Sequence, residues 1–205
     1  MISNSKSFPI ILLIMSIGLT TTLSYSQTKK KKYKDESEKL DCAKNTKINL
    51  QQRLANYPYN ETSQIKLIAY QNKREGIIGE EIQEYLNSCI GKEAVAIESQ
   101  FDEIKALNFN QIEKLTDIIY NYGYKAKTSL GVASKCYEPR NAILFYDNTS
   151  RLIAFIEVCF GCRNYRTNDS KITLGDECTQ KLSMIKDLFK QNGIQYGVTK
   201  DEFSR

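Results

Sequence analysis

The sequence predicts an α+β domain in which helices cover a small, mainly antiparallel sheet stabilised by disulfides. Three observations predict it. Helical stripes and strand-like apolar runs occur in mixed order, which favours helices packed on an antiparallel sheet over alternating parallel units. A hairpin pattern stands at 141–146 and 151–160. Six cysteines occur in a chain whose N-terminus reads as an export signal.

The first 26 residues set the compartment. Lys6 precedes an apolar run from Phe8 to Leu23, and Ser24-Tyr25-Ser26 supplies the small residues that a signal peptidase accepts before Gln27. A spanning helix needs about 20 apolar residues, and this run is shorter and ends in Thr and Ser. The sequence therefore predicts a cleaved signal peptide at 1–26, a basic flexible linker at 27–36 and one domain at 37–205, with its cysteine-rich part at 136–205. No membrane span is expected after cleavage. The linker holds Lys29, Lys30, Lys31 and Lys32. Such a run is most simply a solvated end, and its functional alternative is a tether to an anionic surface, a polysaccharide or an envelope protein.

Next come the elements of the domain. Ser37 to Leu54 carries a weak helical stripe through Leu40, Ala43 and Leu54. Ile65 to Tyr70 is a weak strand candidate. Gly79 to Gly91 predicts a helix with Ile82, Tyr85, Leu86 and Cys89 on one face. Asn110 to Tyr122 predicts a second, with Ile112, Leu115, Ile118 and Ile119 in a stripe, Asn110 and Glu113 as a capping box, and Gly123 as the stop. Asp147 to Ser150 has turn chemistry between the two apolar runs of the hairpin. Asp176 to Asn192 predicts the last helix, with Cys178, Leu182, Ile185, Leu188 and Phe189 facing one way and Gly193 ending it.

The cysteines are Cys42, Cys89, Cys136, Cys159, Cys162 and Cys178. An even number in an exported chain points to disulfides, with 15 possible connectivities for six. A turn centred near residue 149 places Cys136 across the hairpin from Cys162. That leaves Cys159 for Cys178 and Cys42 for Cys89. Two alternatives compete for the last four cysteines: a four-thiolate zinc site, although only one CxxC is present, and thiol–disulfide exchange at Cys159 and Cys162. For exchange, Arg163 and Arg166 are the cations available to stabilise a thiolate.

Composition removes several function classes. The chain has no histidine. Nucleophile–histidine catalysis, His-ligated zinc and c-type haem attachment are excluded with it. A formal charge of +5 without an RNA- or DNA-binding motif does not predict a nucleic-acid partner. No cofactor and no metal are expected. One further candidate is Glu157, a carboxylate inside the apolar run 152–160. The register places it beside Asn141 and near Arg140, either as a carboxylate poised by an arginine or as a strand-edge or structural ion pair.

The segment Cys136-Tyr137-Glu138-Pro139-Arg140-Asn141, then Glu157-Val158-Cys159-Phe160-Gly161-Cys162, then Gly175-Asp176 with Cys178 and the ending Gly193-Ile194-Gln195-Tyr196-Gly197, resembles a family of small exported bacterial proteins of unknown function. The resemblance covers roughly the last 70 to 100 residues. It implies an envelope or secreted location and brings no activity. Some members carry His where this chain has Asn141, so the resemblance implies no acid–base role there. The expected function is a non-catalytic binding or structural module, with thiol–disulfide exchange or zinc binding as the enzyme-class alternative.

Overall fold

The computed structural model describes residues 41–71, 81–125 and 136–199. The signal segment and the Lys29–Lys32 run lie outside them. Residues Glu38–Arg205 make one compact unit.

Its centre is a five-stranded antiparallel sheet. The strands are β2 (Gln64–Ala69), β3 (Glu103–Ala106), β5 (Asn141–Tyr146), β6 (Leu152–Cys159) and β7 (Asn164–Thr167), in the spatial order β3-β2-β5-β6-β7. A separate two-stranded ribbon joins β1 (Cys42–Lys44) to β4 (Tyr122–Tyr124). Five helices complete the described chain: α1 (Leu50–Leu54), α2 (Glu81–Cys89), α3 (Ala94–Ile97), α4 (Phe109–Asn121) and α5 (Lys181–Gln191). The fold is α+β with a mainly antiparallel sheet, as the mixed order predicts.

Both faces of the sheet are covered. Ile65, Leu67, Ile143, Phe145, Ile156 and Val158 pack against Leu115, Ile118 and Ile119 of α4 and Ile185, Leu188 and Phe189 of α5. On the other face Ile68, Leu144, Tyr146 and Phe155 meet Ile82, Leu86 and Cys89 of α2 and Ala94 and Ile97 of α3. Burial on both sides explains why β5 and β6 read as unbroken apolar runs without polar alternation. Every residue of β5 is buried.

The hairpin turn is held by one side chain. Asp147 Oδ1 accepts hydrogen bonds from Thr149 N at 2.8 Å, Thr149 Oγ1 at 2.8 Å and Arg151 N at 2.9 Å. Past the turn, a bulge at Phe145/Tyr146 shifts the ladder by one residue. Ala142, not Asn141, therefore lies opposite Glu157.

Several boundaries differ from expectation. The stripe between Ser37 and Leu54 is not one helix. Its described part is strand β1 followed by the five-residue α1, which Asn49 and Gln52 cap reciprocally. The cap of α4 is Asn108 with Gln111, not Asn110 with Glu113. Asn108 is two residues earlier, and its side chain reaches the free N–H of Gln111. Gly123 does not simply stop α4: it lies inside β4, where an added Cβ would come within 2.8 Å of Asp176 Cβ. The last helix begins at Lys181, not near Asp176, so Cys178 lies ahead of it in the loop. Among the described residues no helix is long and apolar enough to cross a membrane.

Candidate functional site

Two groups of side chains meet at the β6–β7 end of the sheet, one on each face. The hairpin between them explains how. Cys159 at the end of β6 pairs with Asn164 at the start of β7, and a turn over Phe160–Arg163 joins them. Side chains alternate across a strand, so Tyr165 turns to the α4/α5 face and Arg166, opposite Glu157, to the α2 face.

On the α2 face Glu157 has no exposed surface. This corrects the strand-edge expectation: β7 covers what would have been an edge. Tyr137 Oη donates to Glu157 Oε2 at 2.6 Å, while Oε1 has no hydrogen-bond partner among the described residues. Arg166 stacks on the Tyr137 ring at 3.9 Å and donates to Gln83 Oε1 at 3.0 Å. Burial raises the Glu157 carboxyl to about 7, with the Tyr137 hydrogen bond and the Arg166 charge opposing it. The expected partner Arg140 does not serve this carboxylate. It pairs with Glu138 at 3.0 Å, while the β6–β7 ladder brings Arg166 opposite Glu157. Tyr137, Gln83 and Arg166 were not identified as one group from sequence. In the sequence Arg166 stands out only as a cation near the CxxC, and strand alternation in β7 is the signal that links it to Glu157.

The sulfurs divide differently from the sequence expectation. Cys136 is bonded to Cys162 with Cα atoms 5.5 Å apart, the pairing read from the hairpin. Cys42 is bonded to Cys178, with Cα atoms 5.0 Å apart. The expected Cys42–Cys89 and Cys159–Cys178 bonds do not form, and Cys89 and Cys159 are buried free thiols. The reason is the ribbon. Pairing Cys42 with Tyr124 carries β1 to the loop before α5, where Gln180 Oε1 accepts the Cys42 N–H at 2.7 Å and Gln180 Nε2 donates to Asp41 at 2.6 Å. Cys89 ends α2 within the opposite core layer. A zinc site needs Cys136, Cys159, Cys162 and Cys178 in one cluster. Here Cys178 is bonded to Cys42 and Cys136 to Cys162, and no cluster of metal ligands forms among the described residues.

On the α4/α5 face lies a cavity of about 110 Å³, lined by Tyr124, Tyr165, Leu174, Gly175 and Leu182, with Arg163, Glu177 and Lys181 as its charged lining. Lys181 is buried. Its ammonium donates to Ile119 O at 2.9 Å and Leu174 O at 2.7 Å, and burial lowers its pKa to about 8. Gly175 is required by this approach. Its φ is +69°, and an added Cβ would fall 2.3 Å from Ile119 O. Leu182 is legible as part of a helix stripe, but nothing in the sequence marks a cavity, because its walls come from three separate stretches of the chain.

Comparison with family models, with curated proteins and with solved structures returned no match.

Proposed function

We propose that the protein is an exported, non-catalytic binding module, one of the small exported bacterial proteins that its cysteine-hairpin-helix region resembles. Its ligand seat is the cavity between β4, β7 and the start of α5. The single observation that carries the reading is that cavity: aromatic and leucine walls with an arginine in the lining. A dry cavity of about 150 Å³ is enough for benzene, so a space of 110 Å³ suits one small ring or branched chain. Arg163 is exposed and has no ion-pair partner among the described residues, so it is available to a carboxylate at the end of such a group. The chemistry is that of a small aromatic or branched acid, free or as the end of a peptide.

Benzoate and benzyl alcohol test this. In two-dimensional NMR of the full domain, benzoate should move the signals of Tyr124, Tyr165 and Leu182 saturably. Arg163→Ala should weaken benzoate roughly two- to fivefold, the scale of an exposed ion pair, and leave benzyl alcohol unchanged. Leu182→Phe should fill the space and abolish both. Shifts scattered over the surface, or undiminished in Leu182→Phe, would remove the reading.

Export rests on the N-terminal signal pattern and on two disulfides, which persist in oxidising compartments. The mature chain recovered from envelope or secreted material should begin at Gln27. A chain that retains Met1 in that material would contradict cleavage.

A further inference from the structure

We propose that the Cys136–Cys162 bond is exchangeable, with Cys159 as its internal nucleophile, so that one free thiol moves between a buried and an exposed position. This goes beyond ligand binding at the cavity and does not depend on it.

Three sulfurs lie within one short piece of the fold. Cys159 ends β6, and Cys162 stands three residues later in the turn to β7. Cys159 Sγ accepts from Glu138 N at 3.4 Å and donates to Glu138 O at 3.2 Å. Glu138 is two residues from Cys136, the other half of the bond. The free thiol is therefore packed against the segment that the bond anchors. Exposure is unequal: Cys159 is 3% exposed and Cys162 8%, whereas Cys136 is an exposed residue.

The step balances without an external oxidant. The Cys159 thiol loses its proton to a solvent base. The thiolate attacks Cys162 Sγ, the Cys159–Cys162 bond forms and the Cys136–Cys162 bond breaks. Cys136 leaves with the electron pair and takes up a proton from solvent. One disulfide and one thiol exist before and after. Cys162 is the sulfur attacked because it stands three residues after Cys159, in the turn that follows it, and because the departing Cys136 is the exposed sulfur that solvent can receive. The product carries its thiol at the surface, where a disulfide of another protein or of a small thiol could react with it. Cys89, buried in α2, has no disulfide in the same segment and serves as the internal control.

The test uses the full chain with its native bonds. It is incubated with N-ethylmaleimide from pH 6 to 9, then denatured, alkylated with iodoacetamide and mapped by mass spectrometry without reduction. N-ethylmaleimide should appear on Cys136 together with a Cys159–Cys162 peptide. Its rate should rise about tenfold per pH unit while the thiolate is the minor form. Cys89 should take only iodoacetamide. Cys159→Ser should abolish labelling of Cys136. Three results would overturn the proposal: Cys136–Cys162 intact at every pH with Cys159 labelled only after denaturation, equal labelling of Cys136 in Cys159→Ser, or label on Cys162 with a Cys136–Cys159 bond. The wild-type map decides the matter even where the serine variant folds poorly.

Discussion

Replacing Glu157 with Gln will flatten the stability of the protein between pH 4.5 and 7. Unfolded, this carboxyl ionises near its ordinary value of 4.5; folded, it ionises near 7. Between those values the unfolded chain has released a proton that the folded chain still holds. Stability therefore falls as pH rises through the window, and it levels off once both states are ionised. A shift of this size corresponds to roughly 3 kcal/mol. That is a large share of the 5–15 kcal/mol that holds a typical domain. The cause is local. Glu157 is fully buried with one oxygen unpartnered among the described residues, and the Tyr137 hydrogen bond and the Arg166 charge act on it against the burial. The other shifted carboxyls and the shifted lysine among the described residues lie outside the window. Asp117 and Asp147 are held below their ordinary value of 3.8, so their contributions are lost only in stronger acid. Lys181, lowered from 10.5 to about 8, adds stability as pH rises between those two values.

Urea unfolding at half-unit steps from pH 4 to 8 checks the prediction. The glutamine carries buried N–H groups of its own, which cost about 1–3 kcal/mol if unpartnered. That offset does not vary with pH. The comparison is therefore of slopes: wild type should lose stability across the window while Glu157→Gln stays level. Parallel profiles would show that Glu157 ionises normally and that the cluster with Tyr137 is open to water.

What the sequence displayed depended on how many elements each feature required. The hairpin was legible because its two strands are buried on both faces and its turn is closed by Asp147 alone. The Cys136–Cys162 bond followed from that local pairing. The edge strands β3 and β7 were not legible. They are short and only partly buried, so they carry no apolar run. Glu157 stood out as a carboxylate among apolar residues, yet its partners come from the segment before β5, from β7 and from α2. The β6–β7 ladder sets Arg166 opposite Glu157, and β7 carried no signal strong enough to show that pairing. The two expected disulfides that do not form have the same origin. Proximity in sequence suggested Cys42 with Cys89, whereas the ribbon with β4 delivers Cys42 to a loop 136 residues away.

That long-range bond is where a covalent change should cost most. The double variant Cys42→Ser/Cys178→Ser is expected to lose about 4–5 kcal/mol, and Cys136→Ser/Cys162→Ser about 3. In the chain-entropy account a cross-link stabilises by restricting the unfolded chain, and the effect grows with the logarithm of the loop closed. The loops here span 136 and 26 residues. The shorter lies inside the longer, and a logarithm makes that shortening of the outer loop negligible. The outer bond also has a structural duty. It fastens the β1–β4 ribbon to the loop that leads into α5 and lines the cavity. The Gln180 contacts to Cys42 and Asp41 remain in the variant, but two hydrogen bonds at about 1 kcal/mol each do not replace the bond. Urea midpoints of both variants, with wild type under reducing and oxidising conditions, give the comparison. Reduced wild type should fall below either variant. An unchanged midpoint in Cys42→Ser/Cys178→Ser would mean that the ribbon frays independently of the sheet. Hydrogen exchange at Ala43 and Gly123 would then rise without any loss of protection at Ile143 and Ile156, and the cavity wall at Tyr124 would loosen with it.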